Sequence, residues 1–154
     1  MVTNNHQPVG EILGLHHVKI PVSDLVRSRA WYEEVFALEV LTEFRDDHDG
    51  VVRGVSYRAK GDLTLCLREN VAAAEGAVGF DFFAMMLDGR PDIESWATRL
   101  DGFGIEHSEI IEAAIGFIMS FRDPDGIELR FYTLNERGAD PEGRVRRKPA
   151  VPVD

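Results

Sequence analysis

The stretch that decides the fold is residues 15–36, LHHVKIPVSDLVRSRAWYEEVF, which predicts a strand running directly into a helix. Apolar side chains recur at every second position from Val18 to Val22, which is typical of a strand with one buried face. His17 and Lys19 occupy the alternate positions and therefore lie on the opposite face. We expect these two polar side chains to face a cavity.

The helix that follows supplies the partner for the apolar face of the strand. Ser23 or Asp24 can cap its first turn, because a side-chain oxygen at that position accepts a hydrogen bond from a free backbone amide. Beyond the cap, one set of side chains recurs at helical spacing: Leu25, Ser28, Tyr32, Val35 and Phe36. This stripe is expected to cover the apolar side of the strand.

The rest of the chain repeats this order of elements. Further strands are predicted in the first half at 38–45, 51–59 and 63–68. The second half predicts a strand at 79–87, a helix that opens at Pro91, and strands at 105–111, 117–122 and 127–133. Two units offset by about 65 positions indicate a duplicated βαβββ chain.

The predicted fold class is therefore α+β, with two βαβββ modules in one chain. The predicted divisions are a flexible lead-in at 1–13, a first module at 14–69, a linker at 70–78, a second module at 79–135 and a C-terminal tail at 136–154.

Composition excludes several classes of protein. The net charge of −10, from 27 acidic and 17 basic residues, argues against binding to a nucleic-acid backbone. The single cysteine, Cys66, excludes an internal disulfide and fits a reducing compartment. No signal peptide or membrane-spanning run is visible in the sequence. A cytoplasmic location and no membrane partner are expected.

Two motifs carry a resemblance to a known family. The opening described above, with its Val-Ser-Asp-Leu and Trp-Tyr, and the segment from Ser120 to Leu129, which contains an Asp-Pro-Asp-Gly turn at 123–126, resemble the glyoxalase, bleomycin-resistance and extradiol-dioxygenase superfamily of the vicinal oxygen chelate fold. The resemblance implies a curved mixed sheet around a cup-shaped cavity, and a homodimer.

The resemblance also implies three positions for a divalent metal. Metal-dependent members place a histidine near the start of the first strand of each half and a glutamate on the last strand. The first position corresponds to His17, but the second corresponds to Phe82 and the third to Arg130. A phenylalanine cannot coordinate a metal, and a guanidinium repels a cation. The metal site is therefore predicted to be degenerate, and no cofactor is expected.

Other side chains leave a metal site open as an alternative. Glu128 shares a strand face with Arg130, a register slip would bring Asp81 into place, and Cys66 could supply a thiolate. Cys66 is otherwise a small buried hydrophobe. His107 is expected either to line the cup or simply to end a strand, and His16 to be structural.

The favoured interpretation is a protein that binds a small aromatic or antibiotic-like molecule in its cup. Its predicted ligand-binding residues are His17, Lys19, Phe82, Met86, Arg130 and Tyr132. Arg130 either pairs with Glu128 or another acidic side chain, or binds a carboxylate or phenolate of the ligand. The alternative is a metal-dependent lyase, isomerase or dioxygenase that uses His17 and Glu128. Fold alone does not choose between them, nor does it exclude a purely structural or regulatory module.

Overall fold

The computed structural model describes residues 10–59, 63–113 and 116–133. The predicted C-terminal tail and most of the predicted lead-in lie outside these ranges. The elements are β1 (Val18–Val22), α1 (Leu25–Phe36), β2 (Glu39–Arg45), β3 (Val52–Arg58), β4 (Thr64–Glu69), α2 (Val71–Gly76), β5 (Ala84–Leu87), α3 (Arg90–Gly102), β6 (Ile111–Ala113), β7 (Gly116–Arg122) and β8 (Glu128–Thr133). None of the helices in the described ranges is long and apolar enough to cross a lipid bilayer.

The strands form two four-stranded sheets of the same topology. Their orders are β1-β4-β3-β2 and β5-β8-β7-β6. In each sheet the first strand of the module lies parallel to the last, and the other pairs are antiparallel. The prediction of an α+β chain of two βαβββ modules is confirmed. The strands of the described residues are divided between two separate sheets.

Local boundaries differ from the prediction in three places. The strand predicted at 105–111 begins only at Ile111, as β6, and before it a single isolated bridge joins His107 to Phe121. The segment at 70–78, predicted as a linker, contains the short helix α2, because the Asn70 side chain caps it by accepting a hydrogen bond from the backbone amide of Ala73. The strand predicted at 79–87 begins only at Ala84, so Phe82 lies in the segment that leads into β5. The apolar run before Ala84 is aromatic and packs against neighbouring rings without joining the sheet.

Helix α1 begins at a predicted capping residue and ends at an alanine in the left-handed conformation. Asp24 is the N-cap, and its carboxylate accepts a hydrogen bond from the backbone amide of Arg27. Ala37 ends the helix in the left-handed conformation. The buried residues of the helix are the predicted stripe without its last member: Leu25, Ser28, Tyr32 and Val35.

The two modules share a single hydrophobic core on their helical sides. The link is Phe36 at the end of α1, whose ring lies 5.5 Å from Trp96 of α3 and 6.4 Å from Phe131 of β8, measured between centroids. The ring of Phe121 lies a further 5.2 Å from Phe131. Because both sheets turn their apolar faces into this core, their polar faces lie on the outside of the chain.

Polar contacts from the second module hold both ends of α1. At the N-terminus, the Asp125 carboxylate accepts hydrogen bonds from the amide and hydroxyl of Ser23 and from the guanidinium of Arg27, the last at 2.6 Å. At the C-terminus, the Arg99 guanidinium donates to the carbonyl oxygens of Val35 at 2.7 Å and Glu34 at 2.9 Å. A negative charge at the start of a helix and a positive charge at its end both complement the helix dipole.

A buried hydrogen bond joins the middle of α1 to the Asp-Pro-Asp-Gly turn. The Tyr32 hydroxyl donates to the Asp123 carboxylate at 2.8 Å, and the amides of Asp125 and Ile127 donate to its other oxygen. Burial raises the pKa of Asp123, and these hydrogen bonds offset the rise only in part. Burial also raises the pKa of Tyr32 well above its ordinary value, and the charge of Asp123 adds to that rise.

The contact between Asp125 and α1 predicts a stability loss that depends on pH. Burial raises the pKa of Asp125, but the hydrogen bonds from Ser23 and the charge of Arg27 lower it below its ordinary value overall. A lowered pKa stabilises the fold above the unfolded value of about 3.9, and this contribution disappears as the pH falls through the folded value. Asp125→Asn should therefore cost about 1–3 kcal/mol at pH 7 and much less near pH 2, as measured by urea denaturation.

The neighbouring Asp123 provides a control, because its pKa is shifted in the opposite direction from that of Asp125. Its pKa is raised, so its protonated form stabilises the fold below about pH 3.9, and that contribution is lost as the pH rises through the folded value. The stability difference between wild type and Asp123→Asn should thus shrink with rising pH, whereas that for Asp125→Asn should grow. Parallel pH curves for the two variants would contradict this account.

Gly116 at the start of β7 predicts a second stability effect. Its φ of 145° is unfavourable for other residues, and a Cβ there would lie 2.4 Å from the backbone oxygen of Thr133. Gly116→Ala should therefore destabilise the protein by about 1–3 kcal/mol in denaturant titrations. Gly102→Ala is the matched control, because the Cβ that alanine adds there would meet no described atom within 4 Å beyond its own helix backbone and chain neighbours, and alanine is the better helix former. Equal stability of the two variants would show that β7 shifts freely away from Thr133.

Candidate functional site

The polar face of the first sheet carries the predicted residues His17 and Lys19. Lys19 on β1 is exposed and lies opposite Cys66 in the parallel register with β4, as the alternation predicts. His17 precedes β1 and is half-buried, and its Nδ1 lies 2.9 Å from Nδ1 of His16. One of the two rings therefore donates this hydrogen bond to the other.

Cys66 lies buried next to these residues. Burial raises the pKa of its thiol, and the charge of Lys19 opposes that rise. A raised pKa keeps the sulfur protonated at neutral pH, and a protonated thiol is a poor nucleophile and a poor metal ligand. This environment matches a small buried hydrophobe, one of the two roles that the sequence left open.

The polar face of the second sheet carries the other predicted residues. Along β8, Leu129, Phe131 and Thr133 are buried, and the alternate side chains Glu128, Arg130 and Tyr132 are half-buried on the opposite face. Ala84 and Met86 of β5 lie opposite Arg130 and Tyr132 in the parallel register. Met86 is 70% exposed. The structure thus brings Met86, Arg130 and Tyr132 together on one surface.

Arg130 is held between two carboxylates. Its Nη1 lies 2.9 Å from Asp81 Oδ2, and its Nη2 donates to Glu128 Oε1 at 2.6 Å. Hydrogen bonding to Glu128 raises the pKa of Arg130, as does the charge of Asp81, although burial opposes them. Its Nε is buried and has no hydrogen-bond partner among the described residues. The pairing with Glu128 is one of the alternatives that the sequence left open, and Asp81 is the second acidic partner.

Phe82 lies beside this cluster but packs toward the core. Its ring is 5.5 Å from that of Phe83 and 6.4 Å from that of Phe80, between centroids, and it contacts the buried apolar cluster. Phe82 is only partly buried, so one part of the ring remains available at the surface.

The residues at the positions that the resemblance predicts for metal ligands do not fit a divalent ion. Arg130 carries a fixed positive charge and is paired with two carboxylates, and Phe82 has no donor atom. Glu128 and Asp81, the carboxylates that could substitute, are both bound to Arg130. Within residues 10–59, 63–113 and 116–133, no group of three histidine, cysteine, aspartate or glutamate side chains lies close enough to hold a metal.

A cleft of about 560 Å³ opens on the same face of the second sheet, next to Glu128. Its lining residues are Ile105, Glu106, His107, Ser108, Ser120, Phe121, Arg122 and Glu128. Apart from Glu128 and His107, none of these was a candidate from the sequence. The alternation of β7 puts Ser120 and Arg122 on the polar face, but only the fold shows that the segment after α3 lies against them.

His107 forms one wall of the cleft, and both of its ring nitrogens are engaged. Nδ1 lies 2.7 Å from the carbonyl oxygen of Ser108, and Nε2 lies 3.3 Å from Oδ1 of Asp101. A carbonyl oxygen only accepts, so Nδ1 carries a proton. Both ring nitrogens thus face other groups of the protein, and His107 acts as part of the wall.

The sequence from residue 14 to residue 131 matches the family model described as glyoxalase/bleomycin resistance protein/dioxygenase superfamily. The chain belongs to this superfamily. The match spans both modules, including the opening strand and the Asp-Pro-Asp-Gly turn on which the resemblance was based. No curated protein has a sequence that matches the chain significantly.

Solved structures of the superfamily share the fold. A glyoxylase/bleomycin resistance protein/dioxygenase domain from Frankia sp. EAN1pec is 26% identical, with a TM-score of 0.68, over 81% of this chain and 100% of that one. TnmS3, an antibiotic binding protein from Streptomyces sp. CB03234, is 20% identical, with a TM-score of 0.61, over 84% and 100%. The fosfomycin resistance protein FosX from Mesorhizobium loti is 20% identical, with a TM-score of 0.63, over 82% and 96%.

Proposed function

We propose that this protein binds a small aromatic or antibiotic-like molecule on the polar faces of its sheets and does so without a metal ion. The observation that carries the proposal is the position of Arg130 between Asp81 and Glu128. In this proposal, the Arg130 guanidinium supplies the positive charge that a metal ion supplies in metal-dependent relatives. It also forms ion pairs with Asp81 and Glu128, the carboxylates next to it.

The surface around Arg130 supports a binding role. Met86, Tyr132 and the open part of Phe82 provide apolar and aromatic area, while His17 and Lys19 on the first sheet provide polar groups. Small-molecule sites usually combine an apolar lining with a few polar groups that orient the ligand. The structural relative TnmS3, described as an antibiotic binding protein, has the same fold.

We further propose that a homodimer completes the cup. Both sheets turn their apolar faces into one core, so His17 and Lys19 lie on a different side of the chain from Arg130 and Tyr132. A second copy could place its own second sheet against the polar face of the first. Mixing a His17→Ala variant with an Arg130→Gln variant should then restore one intact site per mixed dimer, whereas a monomeric site would show no recovery.

Metal analysis tests the first part of the proposal. Protein purified without chelator should contain well under one equivalent of nickel, zinc, iron or manganese, and His17→Ala should leave that content unchanged. His48→Ala, in an exposed turn, is the matched control. Near-stoichiometric metal that is lost only in His17→Ala would overturn the proposal and favour the metal-dependent enzyme that uses His17 and Glu128.

Ligand screening tests the second part. Aromatic natural products should shift backbone amide resonances of β5 and β8, and Tyr132→Ala should weaken binding by about tenfold or more, the effect of losing roughly 1.4 kcal/mol of contact energy. Tyr57→Phe is a suitable control, because Tyr57 lies on the core side and donates its hydroxyl to Glu33. A screen in which no compound binds would refute the binding function.

A further inference from the structure

The cleft next to Glu128 is large enough to hold a ligand of its own. Its volume of about 560 Å³ lies within the range of about 300–1,000 Å³ that is typical of small-molecule sites. Ile105 and Phe121 provide apolar wall, and Ser120, Arg122 and Glu106 provide polar groups. The residues predicted from the family positions do not include these polar groups.

Arg122 is the cation of this cleft that lacks an acidic partner among the described residues. It lies directly opposite Glu128 in the antiparallel register of β7 and β8, where oppositely charged side chains normally pair. The Glu128 carboxylate is instead bound to Arg130 at 2.6 Å. Arg122 consequently has no hydrogen-bond or ion-pair partner within the described part of the chain, and its side chain is exposed. Both arginines neighbour Glu128, but only Arg130 is hydrogen-bonded to its carboxylate.

Ser120 adds a hydrogen-bond donor on the same side of β7. It lies two residues before Arg122, about 6.6 Å away along the strand. Its backbone amide and carbonyl bond to Ser108, which fixes the strand against the wall, and its hydroxyl makes no hydrogen bond to any described residue. The Ser120 hydroxyl and the Arg122 guanidinium therefore offer hydrogen-bond donors to the same cleft.

We infer that the cleft is an anion-binding site in which Arg122, assisted by Ser120, binds a carboxylate of a small aromatic acid. A planar guanidinium pairs with a carboxylate through two parallel hydrogen bonds. Arg130, proposed from the sequence as the anion contact, has its charge compensated by Asp81 and Glu128. Glu106 also lines the cleft and is exposed, and because its carboxylate repels negative charge, we propose a ligand with a single carboxylate. The inference rests on the proposed function, because it names the ligand class of the same face.

A matched pair of probes tests this inference. The compounds 2-naphthoate and 2-naphthamide have the same shape and differ in charge. Chemical-shift titration should show that the carboxylate binds at least tenfold tighter and shifts the amides of Ser120 and Arg122. Arg122→Gln should abolish this preference, while Arg45→Gln, an exposed arginine on the other sheet, should leave it intact.

The outcomes separate this inference from the proposed function. Equal binding of the two compounds, or a preference that survives in Arg122→Gln, would overturn the inference while leaving the binding function in place. If neither compound perturbs the cleft, the inference is also overturned, and the wider aromatic screen then decides the proposed function. Arg122 is exposed, so the substitution should not impair folding, which a thermal melt of the variant verifies.

Discussion

Phe131→Ala is expected to lower the free energy of unfolding by about 3–5 kcal/mol, the usual cost of removing a buried aromatic side chain. Phe131 is 1% exposed, and its ring centroid lies 4.8 Å from that of Trp96 and 5.2 Å from that of Phe121. Because Phe36 of the first module also contacts this ring, the loss should weaken both modules together.

Tryptophan fluorescence can follow the two modules separately. Trp31 lies in α1 of the first module and Trp96 in α3 of the second. The fluorescence of a Trp96→Phe background therefore reports the first module, and that of a Trp31→Phe background reports the second. In urea, the two transitions of Phe131→Ala should coincide and move to lower concentration by the same amount. Separate transitions would show that the modules fold independently, contrary to the shared core.

The adjacent residue gives the control for Phe131→Ala. Tyr132 lies on the opposite face of the same strand and is only half-buried. Tyr132→Ala should therefore cost about 1 kcal/mol or less of stability while reducing ligand binding. A large stability loss in Tyr132→Ala would mean that the polar face is packed within the chain.

The second large effect is expected at Arg130. Arg130→Glu removes the cation between Asp81 and Glu128 and adds a third carboxylate beside them. Because like charges in contact repel each other, we expect the free energy of unfolding of the chelator-treated variant to fall by about 1–3 kcal/mol. Oxygen-rich sites bind manganese well. A manganese concentration of about ten times the dissociation constant would then restore about 1.4 kcal/mol of folding stability and raise the melting temperature of the variant by about 3–6 °C.

Arg130→Gln is the matched control for this experiment. Glutamine removes the positive charge without adding a carboxylate, so manganese should change its melting temperature much less, and wild type should not respond. Equal responses from all three proteins would mean that the ion binds elsewhere. A variant that loses stability but ignores manganese would show that Arg130 does not stand in the place of a cation.

The periodicity of the chain was sufficient to predict the modules and the faces of their strands. Alternation in β1 and β8 separated core side chains from polar ones, because a strand must turn successive residues to opposite sides. The capping residue and the helical stripe predicted α1 for an equally local reason. Helix α2 was missed, since its cap, Asn70, lies in a segment too short to show a helical period.

Contacts between distant residues were decided only by the tertiary structure. The sequence placed Arg130 and Glu128 on one face, but the ion pair with Asp81, 49 positions earlier in the numbering, depends on the path of the chain before β5. The cleft depends likewise on the packing of the segment after α3 against β7. Local patterns determine which way a side chain points, whereas its partners are determined by packing across the chain. For that reason the sequence left the pairing of Arg130 with Glu128 as one alternative, and it could not show that Arg122 lacks a carboxylate partner among the described residues.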